Sequence, residues 1–421
     1  MKKLFTLFTL FFVFVLTALA GADFAPELDP AVEGEIVVAG SYSNFEALEA
    51  VFDGFAKFYP NVEMRYSRLD DYNNTIDVVL RGEEAPDIYC LQQWMIEREK
   101  YAFLFETAED LANPDLNFDL DVIRPGLIYT MPDGKVPMLP IFTTAYGVLV
   151  NDDLFSENGL TMPVTYQELI DVAEKLKAAD YSSPIMGYND AQYLYHILTY
   201  TDFADRLIND PEAVAKLNAL DPEAGEYMRP TLEYVKDVID RGMIDTAKCS
   251  EEISDNYQSV ILRFFEGDVP MMLVTGDTVS GTPKRESLSE NFMNHPFSYS
   301  FHVLPSTDDG LYFMNPLSIA FAVNQNSADL ELTNEFMRYL ISTETLNQMA
   351  QVKRLITPTK DFSLDKVFAS LGAIDEAHTI NLDSAFLMDD PLIQMRQAAY
   401  AVGSGLMTID EAVAAFGTFT N

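Results

Sequence analysis

The chain has 421 residues, of which 48% are apolar and 22% charged, values typical of a soluble globular protein rather than a disordered or membrane-embedded one. Its 66 acidic residues outnumber 27 basic ones, giving a formal net charge of −39 that excludes nucleic acid and anionic membranes as principal partners, because like charges repel. Two cysteines, Cys90 and Cys249, are too few for a disulfide framework or a structural zinc site, and no cofactor is expected.

The N-terminus has the pattern of a secretory signal peptide. Lys2 and Lys3 precede an uncharged apolar run at residues 4–16, and small residues at 18–20 form a cleavage site after Ala20. The run is shorter than the roughly 20 residues that a spanning helix needs, which disfavours the alternative of an uncleaved anchor. Residues 19–22 resemble a bacterial lipobox with Ala22 in place of the acylated cysteine. We therefore expect an exported chain, periplasmic or extracellular, without a lipid anchor.

Strand and helix patterns alternate in the first quarter of the chain. β-branched or alternating apolar runs predict strands, and apolar residues spaced three or four apart predict helices. The predicted order is strand 35–40, helix 45–59, strand 62–66, helix 74–81 and strand 87–91. Such alternation is typical of an α/β fold with a mostly parallel sheet and helices on both faces.

The middle of the chain is more helical, and strands return later. Thr165 is predicted to cap a helix at 166–178, with Glu168 completing a capping box. Strand patterns follow at 269–274, 301–304 and 319–323, and the last hundred residues read as helices. The length favours two domains. We expect each to be built from two separate stretches of chain.

Several motifs along the chain resemble one family, in that family's order. They are APDI at 85–88, GKVPMLP at 134–140, VNDDLF at 150–155, PVTYQEL at 163–169, FEGDVPMM at 265–272, the helix pattern 336–344, ITP at 356–358 and TIDEA at 408–412. Each motif alone is weak evidence. Together they resemble the bacterial extracellular solute-binding proteins of the carbohydrate class, which are receptors of ABC importers.

The resemblance implies a two-lobed, type II periplasmic-binding-protein-like α/β fold with hinge crossovers. Lobe one is expected at 35–143 plus 270–317, and lobe two at 144–269 plus 318–421. The crossovers are expected near 143–144, 269–270 and 315–316. The implied function is to capture a sugar or oligosaccharide between the lobes and deliver it to a membrane permease, and the implied partners are the small-molecule solute and the permease subunits of an ABC importer. The receptor is expected to be a monomer and not an enzyme.

A sugar receptor needs aromatic rings to stack on and polar groups that bind hydroxyls. Loops that follow strands are the places to look, because ligands of α/β sheets bind outside the carboxyl ends of strands. The candidates are Ser41, Tyr42, Gln92, Gln93, Trp94, Tyr146, Tyr188, Tyr193, Thr275, Asp277 and Asn315. Structural alternatives stay open for some of these residues: an N-cap at Ser43 or Asn44, packing of Trp94 in the core, and packing of Tyr146 in the hinge.

Two positions depart from the maltodextrin-binding member of the family. Thr278 and Leu392 stand near the places where that member carries stacking tryptophans. A maltodextrin is therefore not favoured as the ligand, whereas a short sugar, a modified sugar or a non-sugar solute stays compatible with the sequence. A secreted glycoside hydrolase and a receptor for iron, a polyamine or an osmolyte are the alternative functions.

Overall fold

The structure is a computed structural model that describes residues 24–96, 98–254, 258–380 and 387–419. The predicted signal peptide, residues 1–20, and Ala22 lie outside the described residues. Within them, no helix is both long and apolar enough to cross a membrane.

Eleven strands are found among the described residues. In chain order they are β1 Gly34–Gly40, β2 Val62–Arg68, β3 Ile88–Leu91, β4 Leu139–Thr143, β5 Tyr146–Asn151, β6 Ile185–Met186, β7 Met271–Thr275, β8 Tyr299–His302, β9 Phe313–Met314, β10 Leu317–Val323 and β11 Thr379–Ile380.

The α-helices of the described residues pack around these strands. They are α1 Glu46–Phe55, α2 Tyr72–Leu80, α3 Ala102–Thr107, α4 Asp152–Glu157, α5 Tyr166–Ala178, α6 Tyr193–Asp205, α7 Pro211–Asn218, α8 Arg229–Asp240, α9 Thr246–Glu252, α10 Gln258–Phe265, α11 Gly276–Val279, α12 Thr282–Glu286, α13 Glu290–Asn294, α14 Leu330–Leu340, α15 Thr343–Lys353, α16 Asp389–Gly403 and α17 Ile409–Ala414. Short 3-10 helices lie at Gln93–Met95, Glu99–Tyr101, Pro114–Leu116, Leu120–Val122, Asp190–Gln192, Pro222–Met228, Lys366–Ala373 and Glu376–His378.

The strands form two main sheets, and both are mixed. The first has the order β2-β1-β3-β10-β4 and the second β6-β7-β5-β8. β1 pairs in parallel with β2 and β3, but β10 runs antiparallel to both of its neighbours. In the second sheet β5 is antiparallel to β7 and β8. The sheets are thus less parallel than the alternation of strands and helices predicts, because strands that return from the other sheet enter in the opposite direction.

Each sheet carries its own hydrophobic core, and the two cores define two lobes. The first lobe consists of described residues up to 143 and of 316–355, and the second of 144–315 and the described residues from 356. Cys90 lies in the first core and Cys249 in the second, and both are free and buried.

The lobe boundaries differ from the expected ones after residue 269. Residues 270–317 were expected in lobe one, but β7 and β8 pair with β5 in the second sheet. Residues 318–421 were expected in lobe two, but β10 pairs with β3 and β4, so the stretch up to 355 belongs to the first lobe. The chain crosses near 143–144 and 315–316 as expected, and then near 355–356 instead of 269–270.

The three crossovers are bonded to one another. Thr143 donates its backbone N–H to Ile356 O at 2.9 Å, and Thr144 donates to Pro316 O at 2.9 Å. The Asn315 amide nitrogen donates to Thr143 Oγ1 at 2.7 Å, and its oxygen accepts from Arg124 Nη2 at 2.5 Å. These bonds make the crossovers a compact hinge.

Helix α5 begins as the sequence predicts. The Thr165 hydroxyl accepts the backbone N–H of Glu168 at 3.2 Å. The Glu168 carboxylate accepts from the N–H of Val164 at 2.8 Å rather than from Thr165, so the box is shifted by one residue.

Candidate functional site

A cleft of about 1180 Å³ lies between the two lobes. β1, β3 and β4 point their carboxyl ends at one edge of the first sheet, and β10 begins at that edge because it runs antiparallel to them. β7 ends beside the start of β5 in the second sheet, where Thr275 pairs with Tyr146. Loops from both sheets therefore meet over the hinge, which is where α/β folds bind ligands.

Nine of the eleven predicted site residues line this cleft. They are Ser41, Tyr42, Gln92, Gln93, Trp94, Tyr146, Tyr193, Thr275 and Asp277. Tyr188 does not line the cleft and packs behind Tyr193, with ring centroids 6.1 Å apart. Asn315 is fully buried in the hinge, where its amide bonds the crossovers. Contact between these residues and a solute remains a prediction.

The first lobe contributes the loop after β1. Helix α1 begins at Glu46 with Phe45 as its N-cap and no side-chain cap, so neither Ser43 nor Asn44 caps it. Ser41, Ser43 and Asn44 are exposed at the cleft. The Tyr42 ring packs on its edge against Phe45 at 4.9 Å, and the Lys353 ammonium lies 5.3 Å from the Tyr42 ring centroid.

Trp94 lies half-buried in the 3-10 turn Gln93–Met95 that follows β3. Its indole N–H donates to Gln92 Oε1 at 2.5 Å, and its ring packs edge-on against Tyr101 at 5.3 Å. Gln93 Oε1 accepts the backbone N–H of Leu317 at 2.9 Å. Both amide oxygens thus accept hydrogen bonds from other groups of the protein. The NH₂ group of each glutamine is therefore the part of the amide that can donate to a solute.

The second lobe contributes a group of aromatic rings. Tyr193, His196 and Tyr200 lie three and four residues apart on one face of α6 and line the cleft. The His196 and Tyr200 rings are 4.0 Å apart, and the Tyr146 ring lies 4.9 Å from His196. We call Tyr146, Tyr193, His196 and Tyr200 the aromatic wall.

His196 is neutral in this wall. Burial, and then the charge of Arg396, lower the pKa of His196 to about 3. Its Nε2 atom is buried without a hydrogen-bond partner among the described residues. Burial also raises the pKa of Tyr146 and of Tyr200 well above the usual range. The wall is therefore an uncharged surface with polar edges.

Asp277 is the acidic group at the floor of the cleft, in the first turn of α11. Its carboxylate accepts from Ser318 Oγ at 2.5 Å, and its backbone N–H donates to Thr144 Oγ1 at 3.1 Å. Burial raises the pKa of Asp277, and the hydrogen bonds from Ser318 and Thr144 partly oppose that shift. A carboxylate in this position can accept hydrogen bonds from a neutral solute.

Several cleft residues were not predicted from the sequence. His196, Tyr200 and Ser318 line the cleft, as does Asp389 of α16. The aromatic spacing of Tyr193, His196 and Tyr200 was a usable signal, because it places all three on one helical face. Ser318 and Asp389 had no such signal, since they come from segments remote in sequence.

Charged side chains also line the cleft, and some of them form ion pairs with each other or with a residue beside the cleft. The Lys353 ammonium lies 3.3 Å from the Glu46 carboxylate, and Arg68 lies 3.0 Å from Asp70. Lys284 and Arg285 contribute two more cations. Among the described residues, no group of three or more His, Cys, Asp or Glu side chains could hold a metal ion.

Comparison with known proteins gives a family and a fold. A family model described as bacterial extracellular solute-binding protein matches residues 39–346. No curated protein matches the chain.

Solved structures resemble the chain over nearly its whole length. Apo RafE from Streptococcus pneumoniae has a TM-score of 0.68 and 17% identity, over 92% of this chain and 98% of that chain. The putative binding protein msme from Bacillus subtilis, in an open conformation, has a TM-score of 0.69 and 15% identity, over 93% of this chain and 97% of that chain. The GacH receptor of Streptomyces glaucescens has a TM-score of 0.67 and 18% identity, over 92% of this chain and 97% of that chain. Likeness at these identities establishes the two-lobed fold.

Proposed function

Because the chain belongs to the bacterial extracellular solute-binding protein family, we propose that it is the receptor of an ABC importer and captures an oligosaccharide in the cleft. The observation that carries the proposal is the pairing of Trp94, on the first lobe, with the aromatic wall of the second lobe across one cleft. A sugar has flat C–H faces that pack on aromatic rings and a rim of hydroxyls that needs donors and acceptors.

The polar groups of the cleft match that need. Asp277 supplies an acceptor on the floor, and Gln92 and Gln93 supply NH₂ donors beside Trp94. A hydroxyl can donate to the carboxylate and accept from an amide, so a neutral sugar can satisfy both without bringing a charge into the cleft.

The size of the cleft favours more than one sugar ring. Pockets that enclose drug-sized ligands measure roughly 300–1,000 Å³, and this cleft measures about 1180 Å³. Structural neighbours agree with this size class: one structure is RafE in complex with raffinose, another is a Bacillus licheniformis sugar transporter in complex with stachyose, and GacH was crystallised with acarbose. Leu392, in place of a stacking tryptophan, narrows the aromatic surface available to a long maltodextrin.

A glycoside hydrolase is the second candidate, and one observation favours it. Asp277 is a cleft carboxyl with a raised pKa, the property of a general acid. A hydrolase also needs a second carboxylate across the sugar, and the other acidic residues lining the cleft, Glu46 and Asp389, are ion-paired with Lys353 and Arg98. Because both candidates for the second carboxylate are held in ion pairs, the cleft favours a binding protein over a hydrolase.

The partner and the location follow from the same proposal. A receptor without an acylated cysteine at position 22 would be exported without a lipid anchor and would meet its permease from outside the membrane. A formal charge of −39 supports docking of acidic surfaces of both lobes with basic loops of the permease. Such docking should weaken as ionic strength rises.

A thermal-shift screen of the purified mature chain tests the proposal. Raffinose, stachyose, xylo-oligosaccharides and chito-oligosaccharides should be compared with an amino acid, a polyamine and a ferric salt. A solute at a hundred times its dissociation constant stabilises the folded state by about 2.7 kcal/mol, so a true ligand gives a clear shift. Mass analysis should recover that sugar unchanged. A shift with the non-sugar solutes alone would overturn the sugar proposal, and cleaved sugar would favour the hydrolase.

A further inference from the structure

An ion pair joins the two lobes beside the only tryptophan of the chain. Arg98 Nη2 contacts the carboxylate of Asp389. Arg98 lies in the first lobe, at the N-cap of the 3-10 turn Glu99–Tyr101, and Asp389 is the first residue of α16 in the second lobe. No sequence motif pointed to this pair, because 290 residues separate its members.

The same guanidinium lies over Trp94. The Arg98 Cζ atom is 5.3 Å from the Trp94 ring centroid, within the range of a cation–π contact. The ring is therefore fixed by the Gln92 oxygen at its N–H, by Tyr101 at its edge and by Arg98 at its face.

Asp389 is well placed to hold Arg98. It lies in the first turn of a helix of 15 residues, where the helix dipole favours negative charge. The Asp389 side chain is 26% exposed and the Arg98 side chain 36%. A half-buried pair is less screened by water than a pair on an open surface.

We propose that Arg98 and Asp389 are positioning residues for Trp94: the pair forms as the lobes close on solute and holds the ring in place for stacking. This inference rests on the proposed function, since it assigns a role within that cleft. Since the pair joins the two lobes, separation of the lobes would break it and hydrate both side chains, so the pair would contribute to the free energy of the closed state alone. Any contact made only in the closed state raises solute affinity.

A matched pair in the first lobe provides the control. Arg81 lies over the Phe103 ring at 3.5 Å and pairs with Asp77 at 3.0 Å, so it repeats the arrangement of arginine, ring and carboxylate. Neither Arg81 nor Asp77 lines the cleft. Asp77→Asn thus removes an equivalent ion pair without touching the site.

The experiment measures solute affinity and Trp94 fluorescence in four proteins: the wild type, Asp389→Asn, Arg98→Lys and Asp77→Asn. The probe is the sugar that gives the largest thermal shift with the wild type. Since the chain has one tryptophan, emission excited at a wavelength that tyrosine does not absorb, and its quenching by acrylamide, report on Trp94 alone. Asp389→Asn should weaken binding by about three- to tenfold and increase quenching of Trp94 in the sugar-saturated protein. Asp77→Asn should match the wild type. Arg98→Lys, which keeps the charge but loses the planar group, should bind more weakly than the wild type and more tightly than Asp389→Asn.

The outcomes separate this inference from the proposed function. If the wild type binds sugar and Asp389→Asn matches it in affinity and in quenching, the positioning role is overturned and the receptor function stands. If Asp389→Asn loses affinity while the quenching of Trp94 is unchanged, the pair acts on closure without positioning the ring, which also overturns the inference. If the wild type responds to no sugar, both are overturned.

Discussion

The hydroxyl of Ser318 donates a hydrogen bond of 2.5 Å to the carboxylate of Asp277. Ser318 belongs to β10 of the first lobe, and Asp277 lies in the first turn of α11, directly after β7 of the second lobe. The bond crosses from one lobe to the other at the floor of the cleft. It fixes the direction of the carboxylate, so Asp277 presents an oriented acceptor to whatever enters.

Asp277→Asn should separate solute binding from stability. The variant keeps an oxygen for Ser318 but loses the charged acceptor, and hydrogen bonds to charged groups contribute about 1.5–3 kcal/mol, so sugar affinity should fall by about ten- to a hundredfold. Because burial of the carboxylate raises its pKa, the unliganded variant should be at least as stable as the wild type at pH 7. Calorimetric titration and urea unfolding measure the two quantities. Equal affinity in the two proteins would remove Asp277 from the site.

The raised pKa of Asp277 also predicts opposite pH dependences for binding and for folding. Between the usual aspartate pKa and the raised one, the folded protein holds a proton that the unfolded chain has lost, so the contribution of this group to stability falls as pH rises. Sugar affinity should rise over the same window, because the ionised carboxylate is the better acceptor. Both differences should disappear in Asp277→Asn, measured by titration and unfolding across pH. A pH dependence of sugar affinity that survives in the variant would assign it to another group.

Trp94 should contribute more to affinity than any other single ring. Truncation of an aromatic residue at the centre of a binding interface commonly reduces the binding free energy by about 2 kcal/mol or more. Trp94→Ala should therefore bind sugar about thirtyfold more weakly. Trp94→Phe should retain part of the affinity because it keeps a ring. Since Trp94 is half-buried and packs against the edge of the first core, the variant should lose less stability without sugar than a variant that truncates a fully buried core ring. Unchanged affinity in Trp94→Ala would exclude stacking on this ring.

Asn315 should matter for the hinge and not for solute contact. Replacing it with Leu removes one of the two acceptors of the Arg124 guanidinium, which also donates to Thr357 O and whose pKa burial already lowers to about 10. Loss of that hydrogen bond, and of those that the Asn315 nitrogen donates to Thr143 and Thr144, should lower the free energy of unfolding by about 2–3 kcal/mol. The exposed Asn61, substituted in the same way, is the control. If Asn315→Leu unfolds at the same urea concentration as the wild type, the hydrogen bonds of Asn315 do not stabilise the hinge.

Local pattern predicted much of the fold, because each element carries its own signal. The spacing of Leu169, Ile170, Ala173 and Leu176 gives α5 its bounds, and the β-branched run at 35–40 gives β1. Strand pairing across the hinge carried no such signal. The sequence of β7 resembles that of any buried strand, and only its pairing with β5 shows that it belongs to the second lobe.

The site residues that directly follow strands could be predicted from the sequence, and those brought to the cleft by tertiary packing could not. Gln92, Gln93 and Trp94 follow a strand directly, so the rule that ligands lie beyond strand ends finds them. Tyr188 satisfies the same local rule, but its ring packs against Tyr193 and does not line the cleft, an outcome of packing that the local rule does not include. Asp389 and Ser318 reach the cleft only through tertiary packing, and sequence spacing says nothing about that.

The central claim is that an oligosaccharide binds between Trp94 and the aromatic wall over Asp277. Its most direct test is a calorimetric titration of the wild type and of the double variant Trp94→Ala, Asp277→Asn with the sugar that gives the largest thermal shift. The account predicts saturable binding of one sugar per chain by the wild type, with a negative change in heat capacity, and no measurable binding by the folded double variant. Sugar binding of equal strength by both proteins, or by neither, would contradict it.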